Sequence, residues 1–222
     1  QYRSLLRQRN KYLKQLKYRQ QHDRVLLDVL SDQLAAYGAE LVVARFHFLQ
    51  QLEKWAADLH YQISLNAKKL RLVYATQLKV TSETTVDGAY QQLLTIFKEN
   101  KAREIDQGST MFGPQRDDIR FLVNGKNVQS FGPQGQQRTT ALAVKLAEID
   151  LMKEQTGEYP LLLLDDVLSE LDTVRQTHLL TAIQDKVQTF LTTTSLSDVA
   201  RQLINEPTIF NIKNGTLIKE EE

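Results

Sequence analysis

From residue 2 to residue 66 the chain contains no proline and a single glycine, Gly38, and its apolar residues keep a seven-residue spacing. Leu27, Leu34, Leu41, Phe48 and Trp55 are seven apart, and Leu30, Tyr37 and Ala44 stand three further on. A segment with that period and no helix breaker is confined to long helix. About 40 helical residues reach roughly 60 Å at about 1.5 Å per residue, too long to lie inside a compact domain of this size. The expectation is an arm that projects. Residues 1–20 form a second helical stretch with Leu5, Leu6, Tyr12, Leu13 and Leu16 apolar, so the predicted arrangement is an antiparallel pair with Trp55 in its core.

The same stretch holds the charge asymmetry of the molecule. Across 222 residues, 28 Lys plus Arg meet 27 Asp plus Glu, yet residues 1–24 carry eight basic side chains against Asp23 alone. Arg7, Arg9, Lys11 and Lys14, with Tyr2, Tyr12 and Tyr18 interleaved, are candidates to neutralise nucleic-acid phosphates. A solvated helix face accounts for such a run equally well. With 41% hydrophobic residues the composition is that of a globular chain, and excludes a disordered tail or a collagen. The lack of cysteine removes disulfides, thiolate metal sites and cysteine nucleophiles, and fits a reducing interior. No apolar stretch approaches the ~20 residues that span a bilayer, so neither anchoring nor export is expected. Starting at Gln1, inside what already reads as helix, the chain is expected to be a piece of a longer protein.

Beyond residue 68 the period changes to short strands, turns and helices. Leu70–Thr76 reads as a strand and Ala89–Ala102 as a helix. Asn124-Gly125 and Asn214-Gly215 sit between β-forming runs and predict type I′ hairpins. Between them the pattern places a helix over 138–153, an apolar strand over 159–164, a helix after Asp172 and a strand over 187–192. That alternation predicts an α/β lobe with a largely parallel core, and divides the chain into a helical arm, 1–67, and the lobe, 68–222.

The apolar strand runs Leu161-Leu-Leu-Leu164 into Asp165-Asp166, then Val-Leu-Ser169-Glu170-Leu171-Asp172. Carboxylates at the carboxyl end of a parallel strand sit where α/β sheets bind ligands. One can hold Mg²⁺ together with substrate phosphates, and its neighbour can polarise a water. Taken alone, the pair is a weak signal, since many buried strands end in acids that only cap the next helix. The continuation through Arg175 and Leu179 resembles the Walker B and D-loop of ATP-binding-cassette ATPases of the SMC type, most closely the RecF family of recombination mediators. Gly113-Pro114-Gln115-Arg116-Asp117-Asp118, the segment Ser130 to Thr139, Val187 to Thr194 and Tyr37-Gly38-Ala39-Glu40 are similar to that family in order and spacing.

The resemblance implies the second lobe of an ATPase head with a protruding antiparallel helical arm. By it, Asp165 would coordinate Mg²⁺ and Asp166 would be the catalytic acid. Ser169, Glu170, Leu171 and Asp172 would form the D-loop, and the switch would fall in the run Thr192–Thr194, at Thr193 or Thr194. Pro133, Gln134, Gly135, Gln136, Gln137 and Arg138 match the signature that faces the ATP of the opposite protomer. A glycine turn leading into a helix offers free N–H groups and a positive dipole end to a phosphate, although it can also simply turn the chain. Two departures stand out: Pro133 occupies the signature serine position, and Gln115 replaces a histidine. The family further implies ATP with Mg²⁺, gapped or junction DNA, an ATP-dependent homodimer, and work with RecR, RecO and RecA in bacterial repair and the SOS response, in the cytoplasm at the nucleoid.

No Gly-x-x-x-x-Gly-Lys-Ser/Thr occurs, since Pro114 follows Gly108 and Gly113, so this chain alone is not expected to hydrolyse ATP. His22, His47, His60 and His178 lack metal-ligand spacing, and no Gly-x-Ser-x-Gly elbow anchors a hydrolase triad. Arg201 reads as solvated helix face and 219–222 as a frayed end. The competing functions are a nonenzymatic module whose arm recruits DNA or protein, and another SMC-like ATPase head, which the short arm disfavours.

Overall fold

The computed structural model describes residues 1–19, 23–64, 68–184, 186–194, 204 and 207–219. His22, Arg201, residues 220–222 and the residues at the 67/68 division, 65–67, lie outside them.

One helix organises everything else. Helix α1 spans Tyr2–Lys17 and α2 spans Val25–Ile63, 39 residues that measure about 58 Å at ~1.5 Å per residue. The two pair antiparallel, with Leu13 and Leu27 completely buried against each other's neighbours and the Tyr12 hydroxyl donating to the Asp23 carbonyl at 2.6 Å. The inward face of α2, however, drifts from the heptad. Leu27 and Leu34 are buried as expected, but Leu41 is only half-buried and Phe48 is 43% exposed, while Val42, Leu49, Ala56 and Ile63 lie inside. From Leu27 to Ile63 the buried positions therefore advance at about 3.6 residues per turn, the period of a straight helix, not the 3.5 of a supercoil. Trp55 consequently sits half-buried at the margin of the core.

The first half of α2 is not covered by α1 alone. Helix α3 (Val86–Glu99) returns to it, with Ala89, Leu93 and Phe97 filling the same core as Leu34, Ala35, Ala39 and Val42, and α4 (Lys101–Gln107) packs against α1. The predicted single helix 89–102 is thus two, the first capped by Thr85, whose Oγ1 accepts from the Gly88 amide at 3.0 Å. The second half of α2 joins a separate core with strand β1 (Leu70–Ala75) and helix α6 (Gln134–Thr156).

Strand β1 pairs antiparallel with β2 (Asp118–Val123), which turns through Asn124-Gly125 into β3 (Lys126–Asn127). Both turn residues have positive φ, as a type I′ turn requires, and Asn214-Gly215 repeats this between β6 (Phe210–Lys213) and β7 (Thr216–Lys219). A short helix α5 (Val128–Phe131) leads into α6. Strand β4 (Leu162–Asp165) pairs in parallel with β5 (Thr189–Thr192), joined by α7 (Thr173–Ile183). Among the described residues this is the one parallel pair, and the three-stranded sheet is antiparallel, so the expected largely parallel core is corrected. The start of β4 is also corrected, since Pro160 lacks the N–H that a paired strand needs. Leu164 faces the core, whereas Leu161 and Leu163 are 64% and 74% exposed on the alternate side, beside an exposed Phe190.

Candidate nucleotide site

The parallel pair brings the Asp-Asp motif against the end of β5. Asp165 stands opposite Thr192, whose Oγ1 donates to the Asp165 carboxylate and accepts from the Asp166 amide at 3.0 Å. The Asp166 amide also reaches the Thr192 carbonyl at 3.1 Å. Asp166 itself adopts φ 50°, ψ 23°, a left-handed conformation that costs a non-glycine residue roughly 1–2 kcal/mol. Its carboxylate does not cap the 3₁₀ turn Val167–Glu170 that follows, so the cap reading of this residue finds no support. Ser169 Oγ donates back to the Asp166 carbonyl at 2.9 Å, and the buried Leu168 pins the turn to the core. Gln176 Nε2 donates to the carbonyls of Leu168 (2.8 Å) and Leu171 (3.1 Å), fixing the segment 168–171 from the side of α7. Asp172 is the α7 cap: its carboxylate accepts from the Arg175 amide at 3.0 Å and pairs with the Arg175 guanidinium. Asp165, Asp166 and Asp172 are all exposed, and Thr194 is exposed at the end of β5.

No three His, Cys, Asp or Glu side chains converge among the described residues. A single carboxylate at the strand end suits Mg²⁺, which takes one or two protein carboxylates and completes its shell with phosphates and water. The donor set does not suit a cage built wholly from protein.

The signature segment is held by local bonds. Asn127 Oδ1 accepts from the Gln129 amide at 3.0 Å to start α5, and the Gly132 amide closes it on the Val128 carbonyl at 2.9 Å. A Cβ on Gly132 would lie 2.6 Å from that carbonyl, which explains the glycine. Pro133 then precedes α6 and gives it no side-chain cap. Gln137 Nε2 reaches the Gly132 carbonyl at 3.0 Å and Thr139 Oγ1 the Gly135 carbonyl at 2.8 Å. Gln134 and Arg138 are exposed, and space is open around Gly135. Beside this helix start lies a pocket of about 210 Å³, lined by His60, Ser64, Lys68, Pro133, Gly135, Gln136, Thr139 and Arg175. Residues at the start of α6 and in the first turn of α7 therefore meet in one cavity. His60 forms its inner wall: burial holds the imidazole below its ordinary pKa, and the nearby Lys68 charge acts the same way.

A third cluster surrounds the 113–118 turn. Arg45 Nη1 donates to the Pro114 carbonyl at 2.6 Å, Tyr74 donates to the Asp117 carboxylate, and Tyr2 donates to Gln115. Burial raises the Asp117 pKa. Gln115 thus ties α1 to this turn, while Arg116 and Asp118 remain exposed.

The basic stripe is reduced by one member. Arg7, Lys11 and Lys14 are exposed, and Arg3 joins them on the same face of α1. Arg9 points the other way and is fully buried: Nε reaches Ser31 at 2.9 Å, Nη1 Thr110 at 2.7 Å and Nη2 Glu104 at 2.6 Å, and its guanidinium lies 4.6 Å from the centre of the Phe97 ring. Position 9 shares its face with Tyr12, Leu13 and Leu16, so it is a core residue and not a phosphate ligand.

Comparison with known proteins follows the same lines. The chain is 78% identical over 221 residues to the DNA replication and repair protein RecF of Limosilactobacillus reuteri, covering 100% of this chain and 59% of the relative. It is 67% identical over 216 residues to that of Limosilactobacillus fermentum, covering 97% and 58%, and 60% identical over 222 residues to that of Pediococcus pentosaceus, covering 100% and 59%. This chain belongs to the RecF family. No protein-family model matches it. A solved structure described as the recombination mediator protein RecF with ATP, in the RecFOR pathway, superposes with a TM-score of 0.83 at 31% identity, covering all of this chain and 57% of that one. A second, described as RecF with ATPrS, gives 0.81 at 30% identity with the same coverage. The fold is accordingly that of a second lobe of an ATP-binding-cassette and SMC-type ATPase head, and the chain spans about 59% of the length of its RecF relatives. No described helix is long and apolar enough to cross a membrane.

Two features of this RecF-family lobe escaped the sequence reading. Thr192, one residue before the positions assigned as the switch, is the residue that touches both Asp165 and the Asp166 amide. Lys68, His60 and Arg175 share a pocket with the signature although no motif links them. The signal for Thr192 was its place within the Thr192–Thr194 run, and for the pocket there was none.

Proposed function

We propose that this chain is the signature-bearing part of a RecF-type ATPase that dimerises on DNA when ATP is bound and assists RecA loading at gaps and stalled forks with RecR and RecO. The observation that carries this reading is Asp166, held in a left-handed conformation at the end of β4 by two hydrogen bonds to Thr192, in a chain that superposes on a RecF described with ATP. Asp165, oriented by Thr192, is the residue to hold Mg²⁺, which when bound would neutralise charge on the nucleotide phosphates. Asp166 would accept a hydrogen bond from the attacking water and withdraw its proton. Pro133, Gln134, Gly135, Gln136, Gln137 and Arg138 would present the α6 amino end to ATP carried by the partner copy, where N–H groups and dipole favour a phosphate. Ser169, Glu170, Leu171 and Asp172 would meet the partner at the D-loop, and Thr193 or Thr194 would sense the nucleotide. Residues 1–67 would serve as the arm, offering Arg7, Lys11 and Lys14 to DNA. The phosphate-cradling loop is assigned to sequence outside these 222 residues, so this chain alone should not turn over ATP.

The test is ATP hydrolysis, with and without DNA, by this chain and by a protein of the relatives' full length that contains it. Turnover is expected only in the longer protein, and Asp166→Asn there should abolish it while DNA binding persists. Unchanged turnover in that variant would remove Asp166 from the mechanism, and inactivity of the folded longer protein would favour a nonenzymatic binding module.

A further inference from the structure

The pocket beside α6 contains one anomaly and one surplus. The anomaly is Pro133, at the position where a signature serine would offer a hydroxyl. Proline has neither side-chain oxygen nor N–H, and α6 starts without a side-chain cap. The surplus is positive charge. Lys68, from the segment entering β1, and Arg175, from the first turn of α7, line the same cavity as Pro133, and no carboxylate lines it with them. Arg175 turns one guanidinium nitrogen to Asp172, while its Nε is buried with no hydrogen-bond partner. A buried donor without an acceptor costs free energy unless a ligand supplies one. The pocket, at about 210 Å³, is many times the ~10–15 Å³ that a single water needs by the same measure, room enough for a phosphate group.

We propose that Lys68 makes, in this chain, the contact to the phosphate chain of a nucleoside triphosphate that Pro133 cannot make, with Arg175 as the second cationic ligand of the same pocket. An ammonium on a flexible stem is suited to this, since it delivers a point charge without a fixed geometry. The α6 dipole adds in the same direction, because its positive end opens on the pocket. This inference rests on the reading that the pocket meets a nucleotide, and it adds the residue that compensates for the missing hydroxyl.

The test uses the longer protein and follows dimerisation as ATP is titrated, by light scattering or sedimentation, with a thermal melt as the folding control. Lys68→Met should raise the ATP concentration for half-maximal dimerisation about tenfold, the loss expected for one charge-assisted hydrogen bond. Lys68→Arg should keep most of the affinity. Pro133→Ser should reduce the Lys68→Met loss to less than about threefold, because the hydroxyl returns. An unaltered titration in Lys68→Met would overturn the proposal. So would a loss that Pro133→Ser leaves untouched, which would give Lys68 a role unrelated to the proline. A fall in DNA affinity with an unchanged ATP response would assign the pocket to nucleic-acid phosphates and refute the nucleotide assignment. If the parent protein shows no response to ATP, the functional reading falls first and this inference with it.

Discussion

Arg9 is the residue whose replacement should tell folding apart from DNA binding. It lies completely buried between α1, α2 and α4, and three of its nitrogens are used: Ser31 Oγ at 2.9 Å, Thr110 Oγ1 at 2.7 Å and Glu104 Oε2 at 2.6 Å. Glu104 is equally buried, and its other oxygen accepts from the Met111 amide at 2.7 Å. Arg9→Ala therefore leaves a carboxylate without its counter-charge, two hydroxyls without a donor, and a gap over Phe97. Removing one member of a buried ion pair costs about 3–5 kcal/mol, a large share of the ~5–15 kcal/mol that a domain of this kind commands. Urea unfolding followed by circular dichroism should show the unfolding free energy falling by that amount, through a lower midpoint at an unchanged slope. The double variant Arg9→Met/Glu104→Leu separates a lone buried charge from lost packing. It should recover most of the loss, since apolar replacement of a whole buried pair is often neutral or stabilising. A loss under about 1 kcal/mol in Arg9→Ala, or lowered DNA affinity in a variant of unchanged stability, would refute the assignment of Arg9 to the core.

Two further outcomes are expected. Replacing Arg7, Lys11 and Lys14 with Gln should change stability by no more than ~0.5 kcal/mol each. If these residues meet duplex phosphates, the slope of log affinity against log salt should flatten by about 0.9 per lost contact, and an unchanged slope would return them to solvated surface. His60, buried against α6 with Nδ1 3.3 Å from the Lys68 carbonyl, has its folded pKa below the unfolded value of about 6.5. Between those two values the unfolded chain binds more protons, so stability is complete above about pH 6.5, falls as pH drops through that window and levels off below the folded pKa. Urea midpoints at several pH values should show this component in the parent and lose it in His60→Gln, and an identical pH dependence in both would exclude His60 as its source.

The long helix was legible because nothing between residues 2 and 66 interrupts it, and the two hairpins because Asn-Gly admits the positive φ their turns need. The α7 cap at Asp172 and the parallel pairing after the leucine run could be read for similar local reasons. Register could not. A seven-residue spacing and a straight helix part by about 20° per heptad, enough over α2 to exchange Leu41 and Phe48 for Val42 and Leu49. Arg9 was misread because charge alone does not show which face of α1 meets Glu104, a residue 95 positions away. The pocket is the extreme case, since His60, Lys68, Gly135 and Arg175 come from four separate segments that only the folded α2–α6 core brings together.

Asp166 shows how a site can be marked by backbone and not only by motif. Among the described residues four non-glycines have positive φ: Arg19, Asn124, Asp166 and Asn214. The two asparagines occupy hairpin turns, where positive φ is the demand of the turn itself. Asp166 follows a strand that pairs in parallel, where no hairpin requires it. The conformation persists because Thr192 takes the Asp166 amide with both its carbonyl and its hydroxyl, while Ser169 holds the Asp166 carbonyl. Thr192 Oγ1 also donates to Asp165, so one hydroxyl holds the carboxylate of Asp165 and the backbone of Asp166. Backbone strain braced by its surroundings is a feature of functional sites, and here the bracing residue belongs to β5, 26 positions from the residue whose backbone it holds. Coupling between the two strand ends follows directly: any shift of β5 at Thr192 must move Asp165 and Asp166 together.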